Sequence, residues 1–507
     1  MTHTSFQPAG SNTELKVDYV VVGSGAGGAT AALTLARGGA SVCVVEAGAW
    51  LDPEDYPSTT YGAMRDLMLD WSSQLTRGRA LWPVVQGRAV GGTTVINSAI
   101  CVRTPADIFD QWERDHGIEA VGFREAIWDY QERLESELHA EVVPIRSRGR
   151  SNELAKAGGD AAGYENHYMT RYTRGCEGKG QCLQGCKSRR KQSMNLEIIP
   201  EVMRRGGTVL SCAPVKRIVF RGARATGVTG RFLHPKTKKQ GGEFTVHAKH
   251  AVIVAASAVH SAPLLQVSGV KLPALGSAFR AHPGTAVIGI YDDPVDMNIG
   301  ATQGWASMAY RENPGLKLET LAIPPEMVAS RLSGGGLALM ERLKDYRRFA
   351  LWCHAVRAET AGSVKAGLFG KPVVSYTMNR ADMDRLRRGI HVVAKTHFAA
   401  GARQVIPGIH GLPATIGPDQ LDTLLEAPLD PRAYVAILSH LFGGCIMGAD
   451  PAKSVCDAHG RVHGRKGLVI ADASAIPTNL GVNPQHTIMA LACHFASTLL
   501  DDPPAEC

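Results

Sequence analysis

Hydrophobic and polar positions change period along the chain, and the sharpest change comes near its start. Residues 17–22 (VDYVVV) form a β-branched apolar run of strand length. Gly23, Gly25 and Gly28 follow at the spacing GxGxxG, and residues 29–37 then read as an alanine-rich helix. A second apolar run, 41–45, ends on Glu46. The order predicts strand, tight turn, helix and strand.

Beyond Glu46 the pattern is less regular. Residues 47–85 have no clean period and predict a long excursion, whereas 106–139 and 198–206 have helical spacing. Between 208 and 245, SCAPVKRIVF, ATGVTGRFL and GEFTVHA read as paired strands joined by glycine-containing turns. AVIVAA at 251–256 reads as a further buried strand running into a helix that ends near Leu265. This second strand–turn–helix predicts a return to the first sheet. Residues 290–435 mix short segments and prolines, with a helical run at 337–346 beside a glycine loop, 334–336. Residues 467–471 predict a short buried strand ending at Asp472, and 481–499 a long apolar helix with Pro484 near its start. No internal repeat or low-complexity tract is visible.

Length, charge and cysteine usage narrow the class. At 507 residues there is room for two domains or one large composite one. A net charge of +8 is spread thinly over that length, with no basic tract interleaved with aromatics, so nucleic acid is not the expected partner. The one dense basic cluster, Lys187, Arg189, Arg190 and Lys191, reads as a solvated loop. No apolar run reaches the roughly 18 residues of a membrane span, and the N-terminal stretch is polar, without an apolar signal core. Most of the eleven cysteines sit singly in apolar strings, such as Cys43, Cys101 and Cys493. That predicts reduced, buried thiols in a cytoplasmic protein rather than a disulfide framework. Cys176, Cys182 and Cys186 are the clustered exception.

Each glycine of the opening motif has a physical use. One permits the tight turn at the strand end, one lets backbone approach a pyrophosphate, and one lets the helix pack close to the strand. The helix N-terminus then faces the phosphates, and Glu46 stands where a carboxylate accepts hydrogen bonds from a ribose. With all four parts present, a dinucleotide site is predicted here. A second glycine turn, Gly87, Gly91 and Gly92, precedes Thr93 and Thr94 and suits a flat polar ligand.

Read together, these stretches resemble the glucose-methanol-choline (GMC) flavin oxidoreductases over nearly the whole chain. VVGSGAGGATAA with Glu46 is similar to the family's FAD-binding start, and GRAVGGTTVIN to its GR-x-x-GG-[ST]-[ST]-x-x-N signature. VIVAASAVHSAPLLQVSGV is similar to its second signature, with Ser257 where the family usually has glycine. His282-Pro283 fits the HP that usually follows, and SHLFGGCIMG with ADASAIPTNLGVNPQHTIMALA resembles the C-terminal catalytic region.

The resemblance implies roles residue by residue. Gly23, Gly25, Gly28 and Glu46 would hold the ADP part of FAD, and Gly92, Thr93 and Asn97 would line the flavin and pyrophosphate. Val215 would contact adenine through its backbone, and Asp472 would bind the ribityl-phosphate region. A helix N-terminus after Asp472 would set its dipole at the flavin edge. His440 corresponds to the catalytic histidine, and Asn483 to a second position that is His or Asn in different members. The Asn form resembles cholesterol and pyranose oxidases. A histidine titrating near neutrality suits removal of an alcohol proton, and an amide holds the alcohol oxygen without competing for it. His486 reads as a capping or supporting residue, His463 as structural and His282 as a turn residue. With no His or Cys at the usual attachment position, near residues 91–94, FAD is expected to be non-covalent.

The cluster Cys176-x5-Cys182-x3-Cys186 resembles two loops of this family, that of long-chain alcohol oxidases and the three-cysteine site of cluster-bearing glucose dehydrogenases. A loop packed by its glycines, with the thiols reduced or paired in a disulfide, is the expectation. A 3Fe-4S cluster is the alternative, since three cysteines fall short of a four-ligand motif.

The expected fold is α/β: a Rossmann-like FAD-binding domain from residues 1–110, 190–290 and 436–507, with an inserted α+β substrate domain from 111–189 and 291–435. The implied function is FAD-dependent oxidation of a primary or secondary alcohol to aldehyde or ketone, with oxygen or another electron acceptor. By analogy the alcohol is lipophilic, aromatic or long-chain. The alternatives are a sugar or glycoside hydroxyl and, less favoured, flavin-dependent photodecarboxylation or flavin binding without turnover.

Overall fold

The computed structural model describes residues 3–502. The tips of the expected FAD-binding part, including Cys507, lie outside these residues. Two large sheets organise the chain. The first runs His3–Thr4, Thr208–Leu210, Val42–Val45, Asn12–Val22, Gln240–Val254, Arg224–Leu233, Val215–Arg221, with Leu468–Ile470 also paired to Gln240–Val254. Its centre is parallel: Val20, Val21 and Val22 sit between 43–45 and 252–254. Strands covered on both faces need apolar side chains at every position, which is why VVV and VIV are unbroken runs. The helix Ala26–Arg37 covers this centre and packs against the C-terminal helix Gln485–Asp501.

GEFTVHA and AVIVAA belong to one strand, Gln240–Val254, not two. Its register slips between Ala248 and Ala251. Its lower half pairs in parallel with Asn12–Val22 on one side and antiparallel with Arg224–Leu233 on the other, while its upper half has parallel neighbours on both sides. The helical stretch 106–139 divides into Ala106–His116 and Ala120–Glu137, because Gly117 ends the first helix in the left-handed conformation (φ 67°).

The second sheet is antiparallel. Its order is Gln404–Ile406, Arg280–Ile290, Phe349–Val356, Leu316–Thr320, Trp305–Ser307, His167–Tyr168, and Ile437–Phe442 also pairs with Arg280–Ile290. The long helix Arg380–Ala399 packs across it. Arg280–Ile290 and Ile437–Phe442 fall inside stretches assigned from sequence to the nucleotide part, yet both pair in this sheet. They carry the chain from one sheet to the other. Among the described residues no helix is long and apolar enough to cross a membrane.

Candidate functional site

The glycine loop is shaped by close backbone approach. Gly23 has φ 102°, and a Cβ there would lie 2.3 Å from the Ala255 carbonyl oxygen. A Cβ on Gly28 would lie 2.0 Å from the Gly23 oxygen, so only glycine lets the helix sit against the strand end. Gly25 is the N-cap of Ala26–Arg37; no side chain caps this helix, and its first turn carries no acid. A Cβ on Gly92 would lie 2.8 Å from the Gly25 Cα, and Gly91 N donates to Ser24 Oγ at 2.9 Å, so the two glycine turns face each other. Glu46 is buried; its Oε2 accepts from Ser24 N at 3.0 Å and Ser24 Oγ at 2.7 Å, and its Oε1 from Gly48 N at 2.7 Å. A bare helix N-terminus facing a second glycine turn is a donor set that fits the pyrophosphate of FAD.

Neighbouring segments are tied to this cradle. Thr93 Oγ1 accepts from Gly87 N at 3.0 Å, and Asn97 Nδ2 donates to Gln485 Oε1, 2.6 Å away at the start of the C-terminal helix. Val215 opens its strand opposite Gly230, and just upstream Ala213 N donates to the Glu46 carbonyl. Asp472 is buried. Its Oδ2 accepts from Ser257 N at 2.9 Å and Ser261 Oγ at 2.5 Å, and its Oδ1 from Ser474 N at 2.7 Å. Burial raises its pKa against the pull of these bonds. No long helix follows Asp472; it caps a short 3-10 turn, Ala473–Ala475, and the C-terminal helix starts at Gln485. Ser257 adopts φ 90°, the left-handed backbone that glycine favours, and its Oγ donates to Gln86 Oε1 at 2.9 Å.

A second cluster lies on the antiparallel sheet. His440, on Ile437–Phe442, stands opposite His282 on Arg280–Ile290, with their Nδ1 atoms 3.0 Å apart. Asn483 Nδ2 is 3.1 Å from His440 Nε2. Lys317 Nζ donates to Asn483 Oδ1, and also lies 2.6 Å from Glu319 Oε1, whose second oxygen accepts from Gln303 Nε2 at 2.8 Å. Lys317 and Glu319 are 2% and 5% exposed, so this is a buried ion pair. Burial opposes charge on Glu319, and the Lys317 ammonium overrides it and holds the carboxyl below its usual range.

His282 is therefore a strand residue against His440, not a turn residue. Nor does His440 titrate near neutrality: burial lowers it to about 4, with Glu319 pulling up and Lys317 pushing down. His486 is held by Tyr172 Oη (2.5 Å) and Glu135 Oε1 (3.1 Å), and His463 by Ser454 Oγ at 2.9 Å. Lys317 and Glu319 escaped the sequence reading. Their signal was two opposite charges at i and i+2 in a short apolar strand, LKLET, which places them on one face.

The cysteine loop borders a small, partly open cleft lined by Cys176, Cys182, Cys186, Arg171 and Lys191. Arg171 is fully buried; Nε donates to Ser98 O at 2.7 Å, and Nη2 and Nη1 lie 3.1 Å and 3.8 Å from the Cys182 and Cys176 sulfurs. Lys191 is not solvated. Its Nζ donates to Val95 O (2.6 Å), Asn97 O (2.8 Å) and Cys182 O (3.2 Å), and burial lowers it to about 8. Among the described residues neither cation has a carboxylate partner. Burial pushes the Cys182 thiol up, and Arg171 and Lys191 together bring it below its usual value.

A family model described as GMC oxidoreductase matches residues 17–284, and its C-terminal counterpart matches 361–492. An uncharacterized GMC-type oxidoreductase of Mycobacterium tuberculosis is 33% identical over 490 residues, 96% of this chain and 76% of that one. A long-chain-alcohol oxidase of Arabidopsis thaliana is 27% identical over 94% of this chain and 66% of its own length. The crystal structure of pyridoxine 4-oxidase from Mesorbium loti superposes with a TM-score of 0.73 at 18% identity, covering 95% of this chain and 98% of that one. The chain belongs to the GMC oxidoreductase family and is an FAD-dependent oxidoreductase.

Proposed function

We propose that this enzyme oxidises an alcohol to an aldehyde or ketone, with His440 taking the hydroxyl proton and Asn483 holding the alcohol oxygen. The observation that carries the reading is the 3.1 Å separation of His440 Nε2 and Asn483 Nδ2, which offers one acceptor and one donor to a single hydroxyl. A base lowered to about 4 is neutral at pH 7, so Nε2 is an acceptor, engaged by Asn483 until an alcohol hydroxyl takes that place. FAD, when bound, supplies the hydride acceptor. Gly23, Gly25, Gly28 and Glu46 would hold its ADP part, Gly92, Thr93 and Asn97 its pyrophosphate and flavin, Val215 its adenine and Asp472 its ribityl region, all without a covalent bond. A lipophilic, aromatic or long-chain alcohol is the preferred substrate, in line with the long-chain-alcohol oxidase of Arabidopsis thaliana.

The test is anaerobic mixing of the oxidised holoenzyme with long-chain, aromatic and sugar alcohols while the visible flavin band is followed. Bleaching by one class names the substrate, and H440A should slow it about 10²–10⁴-fold. Bleaching only under light with a fatty acid would replace this reading with photodecarboxylation. Reoxidation by air or by a dye separates oxygen from another electron acceptor.

A second reading concerns the cysteine loop. Three thiols around one cleft, with two buried cations lacking carboxylate partners, suit an anionic metal–sulfur group such as a 3Fe-4S cluster held by Cys176, Cys182 and Cys186. Iron and acid-labile sulfide in the purified protein, lost in C182S, would support it. Iron-free protein retaining full activity would remove it.

A further inference from the structure

We propose that Lys317 is a positioning residue that fixes the direction of a hydrogen-bond chain running through Asn483 and His440 to His282, and so keeps the accepting lone pair of His440 on Nε2. This rests on the reading of His440 as the base.

The chain is dictated by donor chemistry. An ammonium has donors and no acceptor, so the Asn483 atom facing Lys317 must be its oxygen. The Asn483 atom facing His440 is then the NH2 group, and the ring atom it meets, Nε2, must accept. A neutral imidazole that accepts on Nε2 carries its proton on Nδ1. That proton points at His282 Nδ1, 3.0 Å away, which must accept in turn. Without Lys317 the Asn483 oxygen loses its donor, and only the hydrogen bond to Glu319 is left to keep the amide from turning over. Its oxygen would then face His440 and draw the proton onto Nε2, leaving the ring unable to take the substrate proton. Glu319 keeps this device affordable in a buried setting by neutralising Lys317.

The pair also acts on His440 electrostatically. The groups facing His440 are His282 from Arg280–Ile290, Lys317 and Glu319 from Leu316–Thr320, and the uncharged Asn483. Lys317 disfavours the imidazolium and Glu319 favours it.

The experiment is the pH dependence of anaerobic flavin bleaching in holoenzyme variants, with bound flavin as the check of folding. K317M should bleach about 10-fold or more slowly, and its acidic limb should move up by about one pH unit, because Glu319 is left uncompensated. K317M/E319Q should return the limb to the wild-type position while the rate stays low, since the amide remains unlocked. A limb that stays put in K317M, or a double variant with the wild-type rate, overturns the inference. H440A separates the two claims: if it bleaches at the wild-type rate, the base assignment itself has failed. Should K317M not fold, nitrogen-15 NMR of histidine-labelled wild type decides. An Nδ1–H tautomer for His440, assigned with H440Q, supports the chain, and an Nε2–H tautomer overturns it.

Discussion

Acid should unfold this protein earlier than its carboxylates alone would dictate, because two histidines are buried as neutral spacers between its second sheet and the helix that packs across it. His397, on the helix Arg380–Ala399, lies over Gly289 of the sheet, where a Cβ would stand 2.2 Å from the ring. His354, on Phe349–Val356, lies in the same way over Gly389 of that helix, with 2.2 Å to a Cβ position. His397 also stacks on Trp352 at 3.7 Å and 7°, with Tyr291 Oη 3.0 Å from Nδ1 and Val287 O 3.3 Å from Nε2. Both are fully buried, and burial lowers them to about 3 and about 4. The unfolded chain, with histidines near 6.5, binds protons that the native state refuses. Their stabilising contribution is therefore complete above pH 6.5 and is lost as pH falls towards the native values. Between pH 7.5 and 5.5 each histidine should cost about 1.4 kcal/mol, close to RT ln 10, or about 2.7 kcal/mol for the pair. Urea unfolding at the two pH values measures the total, to which other groups contribute. The decisive quantity is the difference made by H397F. Whatever that variant loses in absolute stability, its pH-dependent loss should be about 1.4 kcal/mol smaller than wild type. An H397F slope within about 0.5 kcal/mol of wild type, a margin set by the extrapolation, would refute the argument.

Three other outcomes follow from contacts already described. G28A should yield protein with little or no bound flavin, read as the ratio of visible to ultraviolet absorbance, because its Cβ would meet the Gly23 oxygen at 2.0 Å. K191M should lower stability by about 3 kcal/mol in urea and also lower flavin occupancy, since the carbonyls of Val95, Asn97 and Cys182 lose their shared donor. S257G should stay within about 1 kcal/mol of wild type, trading the Gln86 hydrogen bond for relief of the positive φ, whereas S257V should lose about 2 kcal/mol or more. Unfolding midpoints and flavin retention check both.

The parallel centre was readable because strands buried on both faces must be apolar throughout, so their runs stand out at 17–22 and 251–256. The glycine turns were readable because their spacing is a steric requirement that few other residues meet. The Gln240–Val254 strand was not seen whole, since Lys249 and His250 at its irregularity look like a turn in one dimension. Lys191 was misread because a basic run carries no mark of which member turns inward; only the three carbonyls awaiting it single it out. Lys317 and Glu319 were missed for the same reason. Their meaning lies in Asn483, which is 166 residues away from Lys317 and meets it only through the tertiary fold.

The pairing of Leu468–Ile470 with the upper half of Gln240–Val254 constrains how the protein is made. Until translation reaches residue 470, Val252, Ile253 and Val254 have a partner on one side and an open, wholly apolar edge on the other. The helix Ala26–Arg37 likewise waits for Gln485–Asp501 to cover it. The first sheet to begin emerging from the ribosome is thus among the last to close, and more than two hundred residues are synthesised while a sticky strand edge stands open. Nascent chains stalled before residue 468 should need chaperone protection, and a C-terminal truncation should be lethal to the fold far out of proportion to its length.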